Sequence, residues 1–353
     1  MICMGGACPA NATNNRTGGF QTRPYPYTKT TFVNNTHTIK FPRWRRLVTR
    51  AYIMFAILFT LQKINAQTDF PMSMALSAPT QLNPATTGLF NDRFRVHAHF
   101  KTQTARTMSG GIKATGAVAD YNLEESKMGF GVAIYSNALN RTALRDFNLM
   151  LSYAYRLYLS DWNLISFGVQ SGFKQVGFSL EELSFGSQFD PTYKGGFDPN
   201  NRPSYMPPSN KNSLDASVGA YWKAFFGSSI LVQTGVAAFH LIPVRTDFLN
   251  EESHLKPKYV LSAEMRYGGD PLHWIPSVMH VTQSGHAYTE MGLAVEFRDG
   301  VNFASIGLYY RTPNVLMPTI GFGMNKLSVS LSIEYFLKNN FSQIFNISLL
   351  YLL

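Results

Sequence analysis

The chain has 353 residues, of which 14% are aromatic and only 15% are charged, and its formal net charge is +10. Soluble domains carry about 25% charged residues, and a mean hydropathy close to zero excludes a bundle of membrane helices. Residues 1–66 hold nine basic residues and no acidic ones, which leaves 22 basic and 21 acidic side chains in residues 67–353. A charge of +1 on this larger part argues against nucleic acid as its partner.

Residues 43–66 have the anatomy of a cleaved secretory signal peptide. A basic stretch at 43–50 precedes an uncharged apolar run at 51–61, and the small residue Ala66 precedes the polar residues that follow. The apolar run is about 16 Å long as a helix, too short to span a hydrocarbon core about 30 Å thick. We therefore predict a signal peptide rather than a membrane anchor.

Residues 1–42 precede this signal peptide and are rich in Asn, Thr and Pro without hydrophobic periodicity. We interpret them as an over-extended, disordered N-terminus rather than as an extension of the signal peptide. Both cysteines, Cys3 and Cys8, lie there. A mature chain that begins at Gln67 has no disulfide framework and no thiolate metal site.

The remaining chain alternates apolar and polar residues with a period of two, which is typical of strands with one buried face. Residues 67–92 contain three prolines and do not predict a long helix, so we expect a periplasmic or lumenal segment there. From 93 to 353 the pattern predicts an all-β, transmembrane antiparallel β-barrel of about 14 strands, with a range of 12 to 16. The predicted strands are 93–102, 111–121, 128–136, 145–159, 162–176, 212–225, 229–241, 258–268, 274–283, 286–298, 302–312, 315–324, 326–338 and 342–353.

The connections between these strands favour a membrane barrel over a soluble β-sandwich. Those after even-numbered strands are short, whereas residues 177–211 and 242–257 form long connections after odd-numbered strands. Bacterial barrels show this asymmetry, with short periplasmic turns and long outer loops. The strands are also about twice the 5–6 residues that are usual in soluble sheets, and apolar residues alternate to the terminal Leu353.

Several short motifs in this body resemble those of one family. Leu82, Asn83, Pro84 and Ala85, followed by Gly88, precede the first predicted strand. A glycine-rich stretch at 164–173 and the motifs at 276–277, 307–311 and 318–323 follow in order. From Gln67 to the end, the chain resembles the PorP/SprF family of type IX secretion proteins.

The resemblance implies an accessory role in the outer membrane of Bacteroidetes-type bacteria, in protein secretion or gliding motility. It also implies partners: outer-membrane lipid, and either other secretion-system proteins or a secreted adhesin-like protein. Members of this kind bind a secretion-ring component or assist export or surface attachment of one partner. The alternative function that we consider is a small-solute diffusion channel.

Strand parity places a set of charged side chains on the lumenal face. Two interpretations stay open for them: they line a transport path or grip a peptide, or they pair across the lumen and hold the barrel closed. We favour the second. The set comprises Arg156, Asp215, Lys223, Glu264, Arg266, Glu290, Glu296, Arg298, Arg311 and Glu334.

No motif predicts catalysis or a cofactor. His97 and His99 share a face of the first strand, but no third metal ligand follows at a suitable spacing, and we interpret them as lumenal residues. Ser and His residues show no local nucleophile arrangement. We therefore expect a non-enzymatic protein with no cofactor and no metal.

Overall fold

The computed structural model describes residues 73, 78–105, 112–139, 144–178, 184–202, 210–245, 254–338 and 342–353. The predicted signal peptide and the segment before it lie outside these residues. Among the described residues, no helix is both long and apolar enough to cross a membrane. The described part is nearly all β-structure.

Fourteen antiparallel strands form a closed barrel, in which each barrel strand pairs with the barrel strands before and after it and the first closes on the last. The strand count and the predicted order are confirmed. The barrel strands are β1 (Phe94–Ala105), β2 (Ile112–Leu123), β3 (Met128–Leu139), β4 (Leu144–Ser160), β5 (Asn163–Phe178), β6 (Asn210–Phe226), β7 (Ile230–Phe239), β10 (Lys258–Gly269), β11 (Leu272–Gln283), β12 (His286–Asp299), β13 (Asn302–Arg311), β14 (Val315–Met324), β15 (Leu327–Phe336) and β16 (Ser342–Leu352).

The long connection after β7 contains a small hairpin that the periodicity did not predict. Its strands are β8 (Val244–Arg245) and β9 (His254–Leu255), which pair with each other outside the barrel sheet. Two residues per strand are too few to show a period. A long outer loop is where such local structure is tolerated.

Both ends of the barrel sheet are joined by a continuous ladder. Residues Arg95 to Ala105 of β1 pair with Leu352 to Ser342 of β16. Phe94 and Leu353 exchange backbone hydrogen bonds of 3.0 and 2.8 Å. Full closure removes the unpaired strand edges that have no partner in lipid, so the two ends of this sheet stabilise each other.

The two faces of the wall differ as the alternation predicts. In β4, Met150, Ser152 and Ala154 are buried in the interior, whereas Leu149 and Leu151 are exposed on the outer surface. Most of the exposed large side chains on the strands are apolar or aromatic, and many buried ones are polar or charged. An apolar exterior and a polar interior are what a barrel in lipid requires.

Pro276 interrupts one ladder inside the wall. The β10–β11 pairing runs from Lys258 to Glu264, opposite Gln283 to Ser277, and resumes only at the Tyr267–Trp274 pair. Proline has no N–H to donate to the neighbouring strand. The predicted strand nevertheless continues through it, because the flanking residues restore the register.

Candidate functional site

The N-terminal segment folds back into the barrel lumen. We call residues 78–88 the lumenal plug; it comprises a short α-helix, Pro79–Leu82, and a 3-10 turn, Pro84–Thr86. Proline begins each element, which fixes its φ angle but prevents continuation of a preceding helix. The result is a compact double turn, and Thr80, Ala85 and Thr87 in it are fully buried.

Asn83 joins the two turns and anchors them to the wall. Its extended backbone lets the side chain accept a hydrogen bond from the Ala85 N–H at 2.9 Å, as a cap of the second turn. Its Nδ2 donates to the carbonyl oxygens of Ala220 in β6 and Val236 in β7, at 2.9 and 3.1 Å. One amide therefore connects the plug to two adjacent strands.

Glycines in the wall make room for this anchor. A β-carbon added to Gly219 would lie 2.0 Å from Asn83 Oδ1, and one added to Gly235 would lie 2.6 Å from Asn83 Nδ2. Neither position can carry a side chain while Asn83 stays in place. The bare backbone is the surface that the asparagine recognises.

The second half of the plug packs on glycines of β5 and β3. A β-carbon on Gly168 would lie 2.3 Å from the Ala85 backbone nitrogen, and one on Gly129 would lie 2.2 Å from the Thr87 carbonyl oxygen. Beside Gly168, the Ser166 hydroxyl donates to the Ala85 carbonyl at 2.6 Å. The glycine-rich stretch that helped to identify the family resemblance is thus part of the docking surface for the plug.

An ion pair holds the end of the plug where the chain turns into β1. Arg95 Nη2 and Asp120 Oδ2 are 2.6 Å apart. Asp120 Oδ2 also accepts the Gly88 N–H at 2.8 Å, and Arg95 donates to the Thr86 carbonyl at 3.3 Å. Gly88 has a φ of +68°, a conformation in which other residues are strained. Backbone and charge together fix this turn.

A larger charged network lies along one side of the inner wall, from β12 to β1. Lys101 Nζ lies 2.9 Å from Glu334 Oε1, and Arg311 bridges Glu334 and Glu290 at 3.0 and 2.9 Å. The Ser73 hydroxyl donates to Glu290 at 3.1 Å, which brings the N-terminal segment into the network. Both glutamates are fully buried, and burial of charge requires such pairing.

The predicted charges of β10 and β12 meet in a second, more exposed network. Glu296 Oε1 lies 2.5 Å from Arg266 and 2.9 Å from Arg298. Gln233 donates to Glu264 at 3.2 Å. The side chains of the two arginines are about a third exposed, so water screens this cluster more than the first.

The other predicted residues lie apart from these networks. Arg156 donates to the Met128 carbonyl, and Lys223 lies 5.5 Å from the ring centre of Phe225. Asp215 Oδ2 is 2.7 Å from His240 Nδ1. The predicted strand 229–241 includes His240 at the parity of the exposed Val236, which assigned it to the outer face; in the structure β7 ends at Phe239, and His240, with a φ of +57°, is buried.

The two strand histidines make different contacts. His97 Nε2 lies 2.6 Å from the Ser348 hydroxyl, whereas His99 Nε2 lies 3.4 Å from the Gln81 side chain of the plug. Within the described residues, no three His, Cys, Asp or Glu side chains form a group that suits a metal ion. Arg95 and Lys101 were not in the predicted set of lumenal charges. They have the same parity in β1 as His97 and His99, and this parity could have identified them.

Among the described residues, the plug contributes to the lining of two cavities in the lumen. The outer cavity, of about 100 Å³, lies towards the long-loop end and is lined by residues that include Gln81 and Asp215. The inner cavity, of about 280 Å³, is lined by Leu82, Asn83 and Glu264 among others. The arrangement offers polar binding surfaces.

Ser217 Oγ near the Asp215–His240 pair has no hydrogen-bond partner among the described residues, so the three residues do not form a catalytic triad.

Comparison with known proteins gives one family and a group of barrels. The model of the family described as type IX secretion system membrane protein PorP/SprF matches residues 64–351. No curated protein matches the chain.

Three solved structures illustrate the similarity. The Pseudomonas putida toluene transporter TodX has a TM-score of 0.49 and 9% identity, covering 82% of this chain and 98% of its own. The CymD monoaromatic hydrocarbon channel has a TM-score of 0.46 and 13% identity, covering 78% and 92%. A Pseudomonas aeruginosa FadL homologue has a TM-score of 0.44 and 10% identity, covering 76% and 92%.

Proposed function

The chain belongs to the PorP/SprF family of type IX secretion system membrane proteins, and we propose that it is a non-enzymatic accessory component of type IX protein secretion. It is a β-barrel of the outer membrane. In this role it binds a component of the secretion ring, or it assists export or surface attachment of a partner protein. The barrel binds its partner proteins at its two ends, and it does not act by conducting solutes through its lumen.

The lumenal plug is the observation that supports this proposal. Asn83, Ala85 and Thr87 are buried against the inner wall, and Asn83 is bonded to the backbone of two strands. The buried network around Arg311 occupies the other side of the lumen. A diffusion channel needs a continuous aqueous path, whereas a docking platform needs a rigid barrel with accessible ends.

The long-loop end offers an aromatic surface to a partner. In the described part of the loop after β5, Phe189 and Tyr193 are 64% and 42% exposed. The rings of Phe189 and Phe197 pack edge to face with centres 5.3 Å apart. Exposed aromatic side chains are enriched at protein interfaces, so this loop is the surface that we assign to a surface-attached partner.

The short-turn end offers charge instead. The turn between β2 and β3 exposes Glu124, Glu125 and Lys127. If this end faces the periplasm, as short turns do in bacterial barrels, the turn is available to a ring component. We therefore expect each end of the barrel to bind a different partner, and mutations at one end to abolish binding of that partner alone.

The test is affinity purification of the tagged barrel from outer membranes, followed by identification of bound proteins. Replacement of Phe189 and Tyr193 by Ser is expected to remove a surface partner, and replacement of Glu124 and Glu125 by Lys is expected to remove a ring lipoprotein. Each double variant is the control for the other. A barrel that binds neither, and that conducts in liposomes like an open porin, would instead be a solute channel.

A further inference from the structure

The outer cavity contains a patch of polar atoms that the plug and the charged networks do not use. Asp215, Ser217 and Gln170 line the cavity, and all three are at least 96% buried, with exposures of 2%, 1% and 4%. Asp215 Oδ1, Ser217 Oγ and Gln170 Nε2 have no hydrogen-bond partner among the described residues. Buried polar atoms are nearly always satisfied in folded proteins, so a patch of three points to a ligand.

The register of β5 and β6 brings these atoms together. Gln170 is directly opposite Ser217, and Gly172 is directly opposite Asp215. Gln170 and Asp215 are therefore diagonal neighbours on the lumenal face, about 7–8 Å apart. Because Gly172 has no side chain, no group from β5 stands in front of the Asp215 carboxylate.

The chemistry of the patch selects the ligand. Asp215 Oδ2 is already held by His240 at 2.7 Å, so the remaining oxygen accepts a hydrogen bond from a donor, best a cationic one. The Gln170 amide nitrogen donates only, and needs an acceptor. A ligand must present an ammonium group and a carbonyl or carboxylate about 7 Å apart.

We propose that the outer cavity is a binding site for a small zwitterionic ligand of the amino-acid or short-peptide class. The amino group binds Asp215, and the carboxyl end binds Gln170 and the Ser217 hydroxyl, which lie directly opposite each other. An extended dipeptide has this separation, since each residue spans 3.3–3.6 Å. The site does not depend on the proposed role in secretion, because it uses only lumenal residues away from the barrel ends.

Calorimetric titration of the purified, folded barrel with glycylglycine tests the proposal. The matched probe is the same molecule with a hydroxyl in place of the amino group, which removes the contact to Asp215 without a change of size. Saturable binding of glycylglycine is expected, with at least tenfold weaker binding of the hydroxyl analogue. Equal binding of both probes, or no saturable binding, would overturn the proposal.

Variants locate the site. Asp215→Asn is expected to weaken glycylglycine binding at least tenfold and to leave the hydroxyl analogue unchanged. Glu264→Gln, in the inner cavity, is the matched control and is expected to have no effect; weaker binding in this variant alone would refute the assignment. If Asp215→Asn does not fold, Ser217→Ala carries the test, with an expected loss of about threefold, and unchanged binding there would count against the site.

Discussion

Asn83 occupies the space that a side chain on Gly219 would need, with its Oδ1 only 2.0 Å from the position of a β-carbon there. The same side chain donates to the backbone carbonyls of Ala220 and Val236. A polar residue of the plug and a bare stretch of wall are therefore complementary.

Replacement of Asn83 by Ala is expected to loosen the plug. The variant removes the two hydrogen bonds from Asn83 Nδ2 to strand carbonyls, each worth about 0.5–1.5 kcal/mol. A free-energy change of 1.4 kcal/mol alters an equilibrium constant by a factor of about ten. The fraction of barrels in which the plug has left its position should therefore rise tenfold or more. Ion conductance in planar bilayers measures this change, and Asn91→Ala, at an exposed position of the same segment, is the control. Identical conductance in both variants would contradict an anchoring role for Asn83.

Replacement of Gly168 by Ala is expected to displace the second half of the plug. The added β-carbon would lie 2.3 Å from the Ala85 backbone nitrogen. Because the clash is with backbone atoms, it can be relieved only by movement of the plug or of the strand. Thiol labelling of a cysteine introduced at Ala85, which is fully buried, reports the displacement as faster modification. Gly186→Ala is the matched control because nothing lies within 4 Å of its β-carbon; equal labelling rates would show that the plug adapts.

Replacement of Arg311 by Ala is expected to destabilise the folded barrel strongly. Glu290 and Glu334 would both remain buried with a lost partner, and removal of one member of a buried ion pair costs about 3–5 kcal/mol. Denaturant unfolding measured by heat-modifiable gel mobility tests this. Arg298→Ala removes a side chain that is 30% exposed and should cost about 1 kcal/mol or less. Retained folding with lost partner export in the Arg311 variant would instead support a functional role.

Arg95 and Asp120 are expected to act as one unit with the plug. Their ion pair also binds the Thr86 carbonyl and the Gly88 N–H. A double-mutant cycle with Arg95→Met and Asp120→Asn should give a coupling free energy of about 1–3 kcal/mol, as for contacting residues in one network. Unfolding midpoints of the four proteins supply the cycle. Additive effects would mean that the pair does not stabilise the turn.

The fold was predictable because its signal is local. In β4 and β6 each residue faces either lipid or lumen, so the requirement for opposite polarity on the two faces is written as a period of two along each strand. The same parity assigned Glu290, Glu296 and Arg311 to the lumenal face. Parity reports which face of a strand a residue occupies but not which residue it contacts. The Lys101–Glu334 contact, for example, joins residues 233 positions apart.

The plug shows the limit of sequence reasoning. Its prolines predicted that residues 67–92 form no long helix, but a lumenal and a periplasmic placement were both open. Only the closed barrel decides between them for the described residues, since Gly129, Gly168 and Gly219 come from three strands and form one surface after closure. The contact of His240 with Asp215 was not predictable either, because the predicted strand 229–241 gave His240 an outward parity, whereas β7 ends at Phe239 and the chain then turns inward.

The sequence by itself determined the class of protein: an outer-membrane barrel of about fourteen strands, within a range of 12 to 16, nearly neutral from Gln67 onward, with an apolar outer face. These properties follow from whether each residue faces lipid or the lumen. That requirement acts on one residue at a time, so it can be read along the chain. The tertiary structure decided what the interior does. Contacts such as Asn83 with β6 and β7, or Arg311 with its two glutamates, depend on strand closure, which brings distant residues within hydrogen-bond reach.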